Sequence, residues 1–172
     1  MVETSDEWIR ERTGIRERHV SVGETVVTLA SEAARKALEQ AGKRTEEIDL
    51  ILVATCSPEQ YLPCCACQVQ ADIGAVNALA FDVNAACSGF LFALNTADAY
   101  LRTGLAENAL IIGSEVLSKL VDWTDRGSCI LFGDGAGAVV VERCRTESRA
   151  VEYSNALPET CLLYTSPSPR DR

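Results

Sequence analysis

The stretch FDVNAACSGFLFALNTADAYLRTG, residues 81–104, decides the fold, because a strand pattern runs directly into a helix pattern within it. The apolar run at residues 78–83 is typical of a buried strand. Residues 87–103 predict a helix that ends at Gly104. The predicted apolar face of this helix consists of Phe90, Leu91, Leu94, Ala97 and Leu101. A thiol, Cys87, stands at the junction between the two elements.

Strand and helix patterns continue to alternate on both sides of this junction. Upstream, residues 24–42 predict a helix, residues 48–55 a buried strand and residues 64–74 a short helix. Downstream, residues 108–115 predict a strand, and residues 126–142 read as two strand-like runs around a glycine turn. This alternation predicts an α/β fold with a mixed, mostly parallel sheet covered by helices.

Composition excludes several classes of function. The net charge of -9 argues against a general nucleic-acid binder, which needs a basic face. No apolar run is long enough to span a membrane, and the start, MVETSDEWIRERTG, lacks the apolar core of a signal peptide. We therefore expect a cytoplasmic protein.

Eight cysteines invite a disulfide or metal interpretation. The absence of an export signal argues against a disulfide framework. The cluster at residues 64–67 offers neither a repeated C-x2-C nor one with paired histidines, so no metal site is predicted. The cluster is interpreted as small buried core residues. The alternative, a redox or metal protein that uses Cys64, Cys65 and Cys67, remains open.

The last residues differ from the rest of the chain. Residues 161–171, CLLYTSPSPRD, show no helical or strand periodicity and contain a Pro-Ser-Pro breaker. They resemble the conceptual translation of a transposase-type sequencing adapter. The sequence therefore predicts one half-domain over residues 1–160 and a non-native tail over residues 161–172, with a native disordered tail as the alternative.

Cys87 is the candidate nucleophile. The free amides and the positive dipole end of a helix N-terminus favour a thiolate, which is the reactive form of cysteine. A strand that feeds directly into such a helix also exposes the sulfur at the carboxyl edge of the sheet, where α/β folds bind ligands. On position alone, a buried cysteine without chemistry remains an alternative.

Five collinear motifs carry a family resemblance over about residues 4–142. They are AFDVNAACSGF, TSDEWIRERTGIRER, ETVVTLASEAARKAL, LILVATCSPEQYLPCCACQVQ and DWTDRGSCILFGDGAGAVVVE. Together they resemble the β-ketoacyl-acyl-carrier-protein synthase III family, and the resemblance implies the N-terminal half of a thiolase-like fold.

The resemblance also implies the reaction. Cys87 would take an acyl group from acyl-CoA, and malonyl-acyl-carrier protein would then decarboxylate and condense with it to a 3-oxoacyl product, the step that initiates fatty-acid synthesis. Acyl-CoA is then a substrate, and no separate cofactor is implied. The backbone N–H of Cys87 would be one donor of the oxyanion hole. A homodimer is implied for the full-length protein.

Further site residues follow from the resemblance one at a time. Trp8 and Arg126 match the tryptophan and arginine that sandwich the CoA adenine, while a surface aromatic and a salt-bridged cation are the alternative. Thr4 matches a threonine at the adenine, and Arg12 matches an arginine near the CoA phosphates. Leu62 stands where the family has a bulky aromatic that reaches across the dimer into the partner's acyl pocket.

Two features of the chain need a separate interpretation. FGDGAGA, residues 132–138, suggests a dinucleotide loop, but it precedes a strand rather than a helix, so backbone packing is predicted. His19 is the only histidine and matches no catalytic motif. The family's catalytic histidine and asparagine belong to its C-terminal half, and a further strand precedes the TSDEW motif. We therefore expect that the chain as written is truncated at both ends and does not condense.

Two other functional classes remain open on the sequence. One is a different thiolase-fold enzyme that condenses acyl-CoA esters in secondary metabolism. The other is a module that binds acyl-CoA or transfers acyl groups without condensation, which would carry acyl-Cys87 but need no downstream histidine.

Overall fold

The computed structural model describes residues 2–144 and, for the backbone alone, residues 160–165. The helices are α1 (Asp6–Thr13), α2 (Val26–Ala41), α3 (Cys65–Ile73), α4 (Gly89–Thr103) and α5 (Arg126–Cys129). The strands are β1 (Leu50–Ala54), β2 (Leu79–Val83), β3 (Asn108–Val116), β4 (Asp134–Arg143) and β5 (Thr160–Thr165). Within the described part of the chain, no helix combines the length and the apolar character needed to cross a bilayer.

The strands form one mixed sheet in the order β2-β1-β3-β4-β5. β1 pairs in parallel with both β2 and β3, whereas β4 is antiparallel to β3 and to β5. In register, Ala54 lies opposite Val83 on one side and Gly113 on the other. The carboxyl ends of the three parallel strands therefore meet at one edge of the sheet, and the predicted α/β fold with a mixed sheet is confirmed.

Both faces of the sheet are covered by helices, which explains the apolar strands. Ile51 and Val53 of β1 belong to a core cluster with α2 and α3, whereas Leu50 and Leu52 belong to a second cluster with α4. Successive side chains of a strand point to opposite faces, so a central strand between two helical layers must be apolar at every position. All five residues of β1 are accordingly buried.

The strongest helix prediction, residues 24–42, is confirmed by α2 and its two ends. A capping box starts the helix: the Thr28 amide donates to Thr25 Oγ1 (3.1 Å) and the Thr25 amide donates to Thr28 Oγ1 (2.8 Å). Gly42 follows the last helical residue and ends the helix. These caps satisfy amides that a helix terminus otherwise leaves without partners.

Two surfaces that the sequence predicts to be buried are partly exposed to solvent. β2 was expected to be buried, but it is the edge strand of this sheet, and Leu79 is 58% exposed. On α4, Leu91 was placed on the apolar face and is 63% exposed, while Ala97 and Leu101 are buried as predicted. Periodicity identifies a strand or helix but not its position in the fold. It therefore does not predict that the side chains of an edge strand are exposed.

The first strand-like run predicted within residues 126–142 is wrong. Residues 126–129 form the short helix α5, and only β4 is a strand. The reason is a local cap, because the Asp125 carboxylate accepts a hydrogen bond from the Gly127 amide (2.9 Å). The same interactions are electrostatically favourable: hydrogen bonds from Ser128 and Gly127 lower the pKa of Asp125.

The segment predicted to lack any strand contains β5. Its backbone pairs antiparallel with β4, for example Thr165 with Val139 and Thr160 with Arg143. The physical reason is that an edge strand has a row of unpaired backbone amides and carbonyls. An extended segment can form hydrogen bonds with them regardless of its own side chains. The prediction of a non-native tail over residues 161–172 concerns the origin of the segment and stays a prediction; residues 166–172 lie outside the described residues.

The cysteines differ in their surroundings. Cys65 and Cys129 are buried, whereas Cys64 and Cys67 are only partly so, and Cys56 and Cys87 are exposed. The prediction of a buried cysteine cluster is thus confirmed for Cys65, whereas Cys64 and Cys67 are only partly buried. All of these are free thiols. Cys144, which follows β4, is disulfide-bonded, which the sequence did not predict.

The glycine-rich stretch at residues 132–138 supplies the first residues of β4 and opens no helix, as predicted. Its aspartate, Asp134, connects the start of β4 by hydrogen bonds to residues 19–21 and to residue 118. The Asp134 amide donates to the His19 carbonyl (2.9 Å), and its carboxylate accepts from the amides of Ser21 (2.7 Å) and Ser118 (2.8 Å). Partial burial alone would raise the pKa of Asp134, but the hydrogen bonds from Ser118 and Ser21 lower it overall.

Replacing this carboxylate is expected to destabilise the fold in a pH-dependent way. A depressed folded-state pKa contributes stability that is present above about pH 4 and is lost as pH falls through the folded-state value. Asp134→Asn should therefore lower the free energy of unfolding at pH 7 by about 1 kcal/mol. The difference from the unmodified protein should shrink below about pH 4. Urea unfolding at pH values on both sides of this range measures it.

The control for Asp134→Asn is Glu32→Gln, which removes an exposed carboxylate paired with Lys36 at 2.9 Å on α2. An exposed pair of this kind is expected to contribute less than about 0.5 kcal/mol. Equal pH dependence of the two variants would contradict the assignment of Asp134 as a structural carboxylate.

Candidate active site

The candidate nucleophile lies on a sharp turn between β2 and α4. Residues 86–88 form one 3-10 turn, and Cys87 is exposed in its centre. The Ala86 amide donates to Asn84 Oδ1 (3.4 Å), and the backbone bonds of the turn begin with the Ser88 amide, which donates to the Ala85 carbonyl (3.1 Å). The Cys87 amide precedes these bonds, at a position where a helical turn leaves its N–H groups without internal acceptors.

Ala86, the residue before the thiol, has a strained backbone. Its φ of 46° lies in the left-handed region, which costs an L-residue other than glycine about 1–2 kcal/mol. Strain of this kind persists only where the surrounding structure holds it, and such positions cluster at functional sites. The conformation reverses the chain after β2 and presents the next residue, Cys87, to solvent. The sequence carries no signal for it, since alanine is ordinary at helix starts.

Two close approaches hold this turn against the sheet. A Cβ on Gly89 would lie 3.3 Å from the Ala54 Cβ of β1, and a Cβ on Gly113 of β3 would lie 3.4 Å from Phe90 Cδ2. Glycine at these two positions lets the start of α4 approach β1 and β3 closely. The glycine of the Cys-Ser-Gly motif thus has a packing reason, because a side chain at residue 89 would crowd Ala54.

The helix that follows Cys87 starts two residues later than predicted. α4 runs from Gly89, so Cys87 lies on the preceding turn rather than inside the first helical turn. The thiol remains at the amino end of the helix, where the dipole favours negative charge. The predicted placement of Cys87 next to a helix start and at the carboxyl edge of the sheet is confirmed.

A second exposed thiol, Cys56, lies near Cys87 and was missed by the sequence analysis. It follows β1, and its amide donates to Glu115 Oε1 (2.7 Å). Partial burial, the hydrogen bond and charge of Glu115, and the nearby Cys87 all raise the pKa of the Cys56 thiol. Cys56 thus stays protonated more readily than an ordinary cysteine. The parallel pairing of β1 and β2 is the signal that could have found it, since residues after Ala54 and Val83 must meet.

Glu115 organises the loop that carries Cys56. Its carboxylate accepts from Thr55 Oγ1 (3.3 Å) and from the Ser57 hydroxyl in addition to the Cys56 amide. The Ser57 hydroxyl in turn accepts from the Val116 amide (3.0 Å). This network fixes the chain immediately after β1, on the same edge of the sheet as the Cys87 turn.

Three of the four residues predicted to hold CoA, Trp8, Arg12 and Arg126, come together in the structure, whereas among the described residues no hydrogen bond or ring contact joins Thr4 to them. The Trp8 ring has Arg12 Cζ at 4.3 Å and Arg126 Cζ at 4.6 Å from its centroid, both within cation–π range. Arg126 Nη1 also donates to the carbonyl of Glu3 (3.2 Å), the neighbour of Thr4. The arrangement is an aromatic ring in contact with two guanidinium groups, and its role in CoA binding stays a prediction.

Two helix starts position this cluster. The Trp8 amide donates to Ser5 Oγ (3.2 Å), so Ser5 caps α1 and orients the first turn that carries the indole. Arg126 is the first residue of α5, whose cap is Asp125. Trp8 and Arg126 are more than a hundred positions apart in the sequence, and each lies in the first turn of a capped helix.

Leu62 lies on the loop between β1 and α3 and is 85% exposed in the single chain. The preceding Tyr61 is exposed to the same degree, at 89%. An apolar loop tip of this kind suits contact with another surface, but its role in an acyl pocket stays a prediction.

His19 is held by its backbone rather than placed for catalysis. Its carbonyl accepts from the Asp134 amide, and the residue is exposed. Among the described residues, no hydrogen bond joins the His19 ring to Cys87, and that His19 is not the base stays a prediction. Over the same residues, no group of three or more histidine, cysteine, aspartate or glutamate side chains is placed to hold a metal ion.

Comparison with known proteins gives one consistent result. The family model described as 3-oxoacyl-[acyl-carrier-protein (ACP)] synthase III matches residues 81–156. The chain is 57% identical over 141 residues to the β-ketoacyl-[acyl-carrier-protein] synthase III of Clostridium acetobutylicum, which covers 82% of the chain and 43% of that protein.

Solved structures agree with the sequence relatives. The 3-oxoacyl-[acyl-carrier-protein] synthase III of Aquifex aeolicus superposes with a TM-score of 0.82 at 52% identity, over 86% of the chain and 47% of that structure. The β-ketoacyl-[acyl-carrier-protein] synthase III of Thermus thermophilus superposes with a TM-score of 0.80 at 42% identity, over 86% and 46%. The chain thus spans less than half the length of the relatives it matches, and the thiolase-like fold that the motifs implied is confirmed.

Proposed function

Because the chain belongs to the β-ketoacyl-[acyl-carrier-protein] synthase III family, we propose that the protein carrying it is an initiating ketosynthase of fatty-acid biosynthesis. It transfers an acyl group from a short acyl-CoA to Cys87 and condenses that group with malonyl-acyl-carrier protein. The observation that carries the proposal is the exposed Cys87 on a strained turn at the start of α4, within the segment that matches the family.

In the first step the Cys87 thiolate attacks the carbonyl carbon of the acyl-CoA thioester. The carbonyl oxygen becomes an oxyanion, and the Cys87 amide at the start of the turn donates to it. Collapse of this intermediate expels CoA as a thiolate, which takes up a proton, and leaves the acyl group on Cys87. The dipole of α4 and the free amides of the turn supply the stabilisation of negative charge that this step needs.

In the second step malonyl-acyl-carrier protein loses carbon dioxide, and the electron pair left on its α-carbon attacks the acyl-Cys87 carbonyl. The Cys87 thiolate departs, and a 3-oxoacyl-acyl-carrier protein is released. The histidine and asparagine that the family resemblance assigns to this step match no motif of the 172 residues. Residues of this chain therefore serve acyl transfer, and other parts of the whole protein serve decarboxylation.

The Trp8 cluster serves as the adenine site in this proposal. Trp8 and Arg126 hold the two faces of the base, Thr4 contacts its edge, and Arg12 lies near the CoA phosphates. The Arg126 guanidinium contacts the Trp8 ring directly. An adenine that binds between them would therefore move the guanidinium and the indole apart by the thickness of one aromatic ring. The existing contact shows that both groups already face each other.

The proposal extends to partners and location. Malonyl-acyl-carrier protein is the second substrate, and two copies of the whole protein form a dimer in which Leu62 of one copy reaches the acyl pocket of the other. The exposed Tyr61 and Leu62 support such a contact. A cytoplasmic location is part of the same proposal.

A condensation assay tests the proposed function. A protein of the relatives' full length that carries this chain is expected to form a 3-oxoacyl-carrier product from acetyl-CoA and malonyl-carrier protein, whereas the 172 residues alone are expected to form none. Mass spectrometry of the carrier protein measures the product. Acylation of Cys87 without any condensation by the whole protein would contradict the ketosynthase proposal and favour an acyl-transfer module.

A further inference from the structure

Two cysteines at the start of α3 form a close pair that the proposed reaction does not use. Cys64 is the residue immediately before the helix, and Cys67 is in its first turn. Their sulfur atoms lie 3.4 Å apart, and both thiols are free and partly buried. A disulfide bond needs the sulfurs at about 2.05 Å, so the two atoms are close but must still approach each other before they can bond.

We propose that Cys64 and Cys67 are a reversible thiol–disulfide site that reacts with low-molecular-weight disulfides. The site is independent of the acyl chemistry at Cys87. It is a modification site on this chain and does not act as a catalyst.

The exchange balances in two steps. One thiolate of the pair attacks a small disulfide, forms a mixed disulfide and releases one small thiolate. The second thiolate of the pair then attacks the mixed disulfide at the protein sulfur, which forms the Cys64–Cys67 bond and releases the second small thiolate. The two protons of the cysteines go to the released thiolates, and the small disulfide takes up the two electrons.

The surroundings of the three cysteines explain why Cys64 and Cys67, and not Cys65, form the exchange site. The third cysteine of the cluster, Cys65, has its side chain buried in the core against α2 and the sheet, and burial raises the pKa of its thiol to about 12. Cys67 Sγ instead lies 3.6 Å from the Ala80 carbonyl of β2, on the side of the helix that also faces Cys64. Cys65 therefore neither reaches the pair nor ionises readily enough to compete with it.

Asp82 takes up two amides at the start of α3 that could otherwise stabilise a thiolate of the pair. Its carboxylate accepts from the amides of Cys65 (2.9 Å) and Ala66 (2.7 Å), the helix-start amides that would otherwise stabilise a thiolate. The hydrogen bond with Cys64, partial burial, and the charges of Cys64 and Asp82 raise the pKa of Cys67. A dithiol whose thiolate is not stabilised makes a weak oxidant once it is oxidised, which suits a switch and not an oxidoreductase.

The pair lies where its state affects a neighbouring loop. Cys64 directly follows Pro63 and Leu62, and Gln68 Nε2 of the same helix donates to the Pro63 carbonyl (2.9 Å). A bond between Cys64 and Cys67 pins the end of this loop to the first turn of α3. The loop enclosed by the bond is short, so the expected effect is local.

The test is thiol mapping of the purified protein in mixtures of reduced and oxidised glutathione. The expected product is an internal disulfide between Cys64 and Cys67, identified by differential alkylation and tandem mass spectrometry and reversed by dithiothreitol. In the native protein its equilibrium constant should exceed that in urea by about tenfold, because the fold holds the sulfurs together. Equal constants in both conditions would overturn the proposal.

Variants separate this pair from other thiols. Cys64→Ser and Cys67→Ser should each abolish the internal bond and leave a mixed disulfide with glutathione on the remaining cysteine. Serine at position 64 is a favourable cap for α3, so this variant is expected to fold, which circular dichroism checks. Cys56→Ser is the matched control and should keep the bond. A disulfide that joins Cys87 to Cys56 while residues 64 and 67 stay free would contradict the proposal.

Discussion

Replacing Cys87 with alanine is expected to abolish covalent acylation of the whole protein by acetyl-CoA, a loss of more than about a thousandfold in rate. The reason is that the other described thiols lack its combination of exposure and a helix start. Cys65 and Cys129 are buried, and the pKa of Cys56 is raised by partial burial and by Glu115. Intact-protein mass spectrometry after incubation with acetyl-CoA measures the adduct.

The matched control is Cys56→Ser, which removes the other exposed thiol near the same edge of the sheet. It should retain the full acyl adduct. Cys87→Ser should behave like the alanine variant, since a hydroxyl at this site is far less ionised than a thiol. An adduct that survives in Cys87→Ala and maps to Cys56 would refute Cys87 as the nucleophile.

Replacing Trp8 with alanine is expected to weaken CoA binding by about 5- to 150-fold, because stacking of a base on an aromatic side chain contributes about 1–3 kcal/mol. The indole also supports the two guanidinium groups of Arg12 and Arg126, which lose their cation–π contact when it is removed. Isothermal titration calorimetry with CoA measures the change. Trp8→Phe should lose less, since it keeps an aromatic face.

A truncated ligand distinguishes this role from a general effect on folding. Acetyl-pantetheine carries the reactive thioester but no adenine, so it should acylate Cys87 equally well in the unmodified protein and in Trp8→Ala. Arg126→Ala should weaken CoA binding, and its effect should be less than additive with Trp8→Ala because the two groups hold one base. Equal losses for CoA and acetyl-pantetheine would contradict the adenine site.

The elements that could be predicted are those whose signal is local. The helix at residues 24–42 carries its apolar stripe, its cap and its terminal glycine within one segment, and the structure confirms it as α2. β1 was predicted from an uninterrupted apolar run. Its burial follows from its central place in the sheet. The placement of Cys87 was likewise predicted because strand, thiol and helix are contiguous.

The incorrect predictions concern neighbours in space. β2 has the same apolar pattern as β1 but lies at the edge of the sheet, so its side chains are partly exposed. The run at residues 126–129 is helical because one capping carboxylate outweighs its strand-like composition. The left-handed backbone of Ala86 is imposed by the packing around it and has no sequence signal.

The sequence by itself determined the alternation of helices and strands over residues 24–115, the family and the candidate nucleophile, since each of these is written in contiguous residues. Only the tertiary structure decided that Cys56 lies near Cys87, that Arg126 contacts Trp8, and that the sulfurs of Cys64 and Cys67 lie 3.4 Å apart. The physical reason is that periodicity reports which face of an element is apolar. Distances between side chains depend instead on strand register, on helix caps and on which glycines let the elements approach.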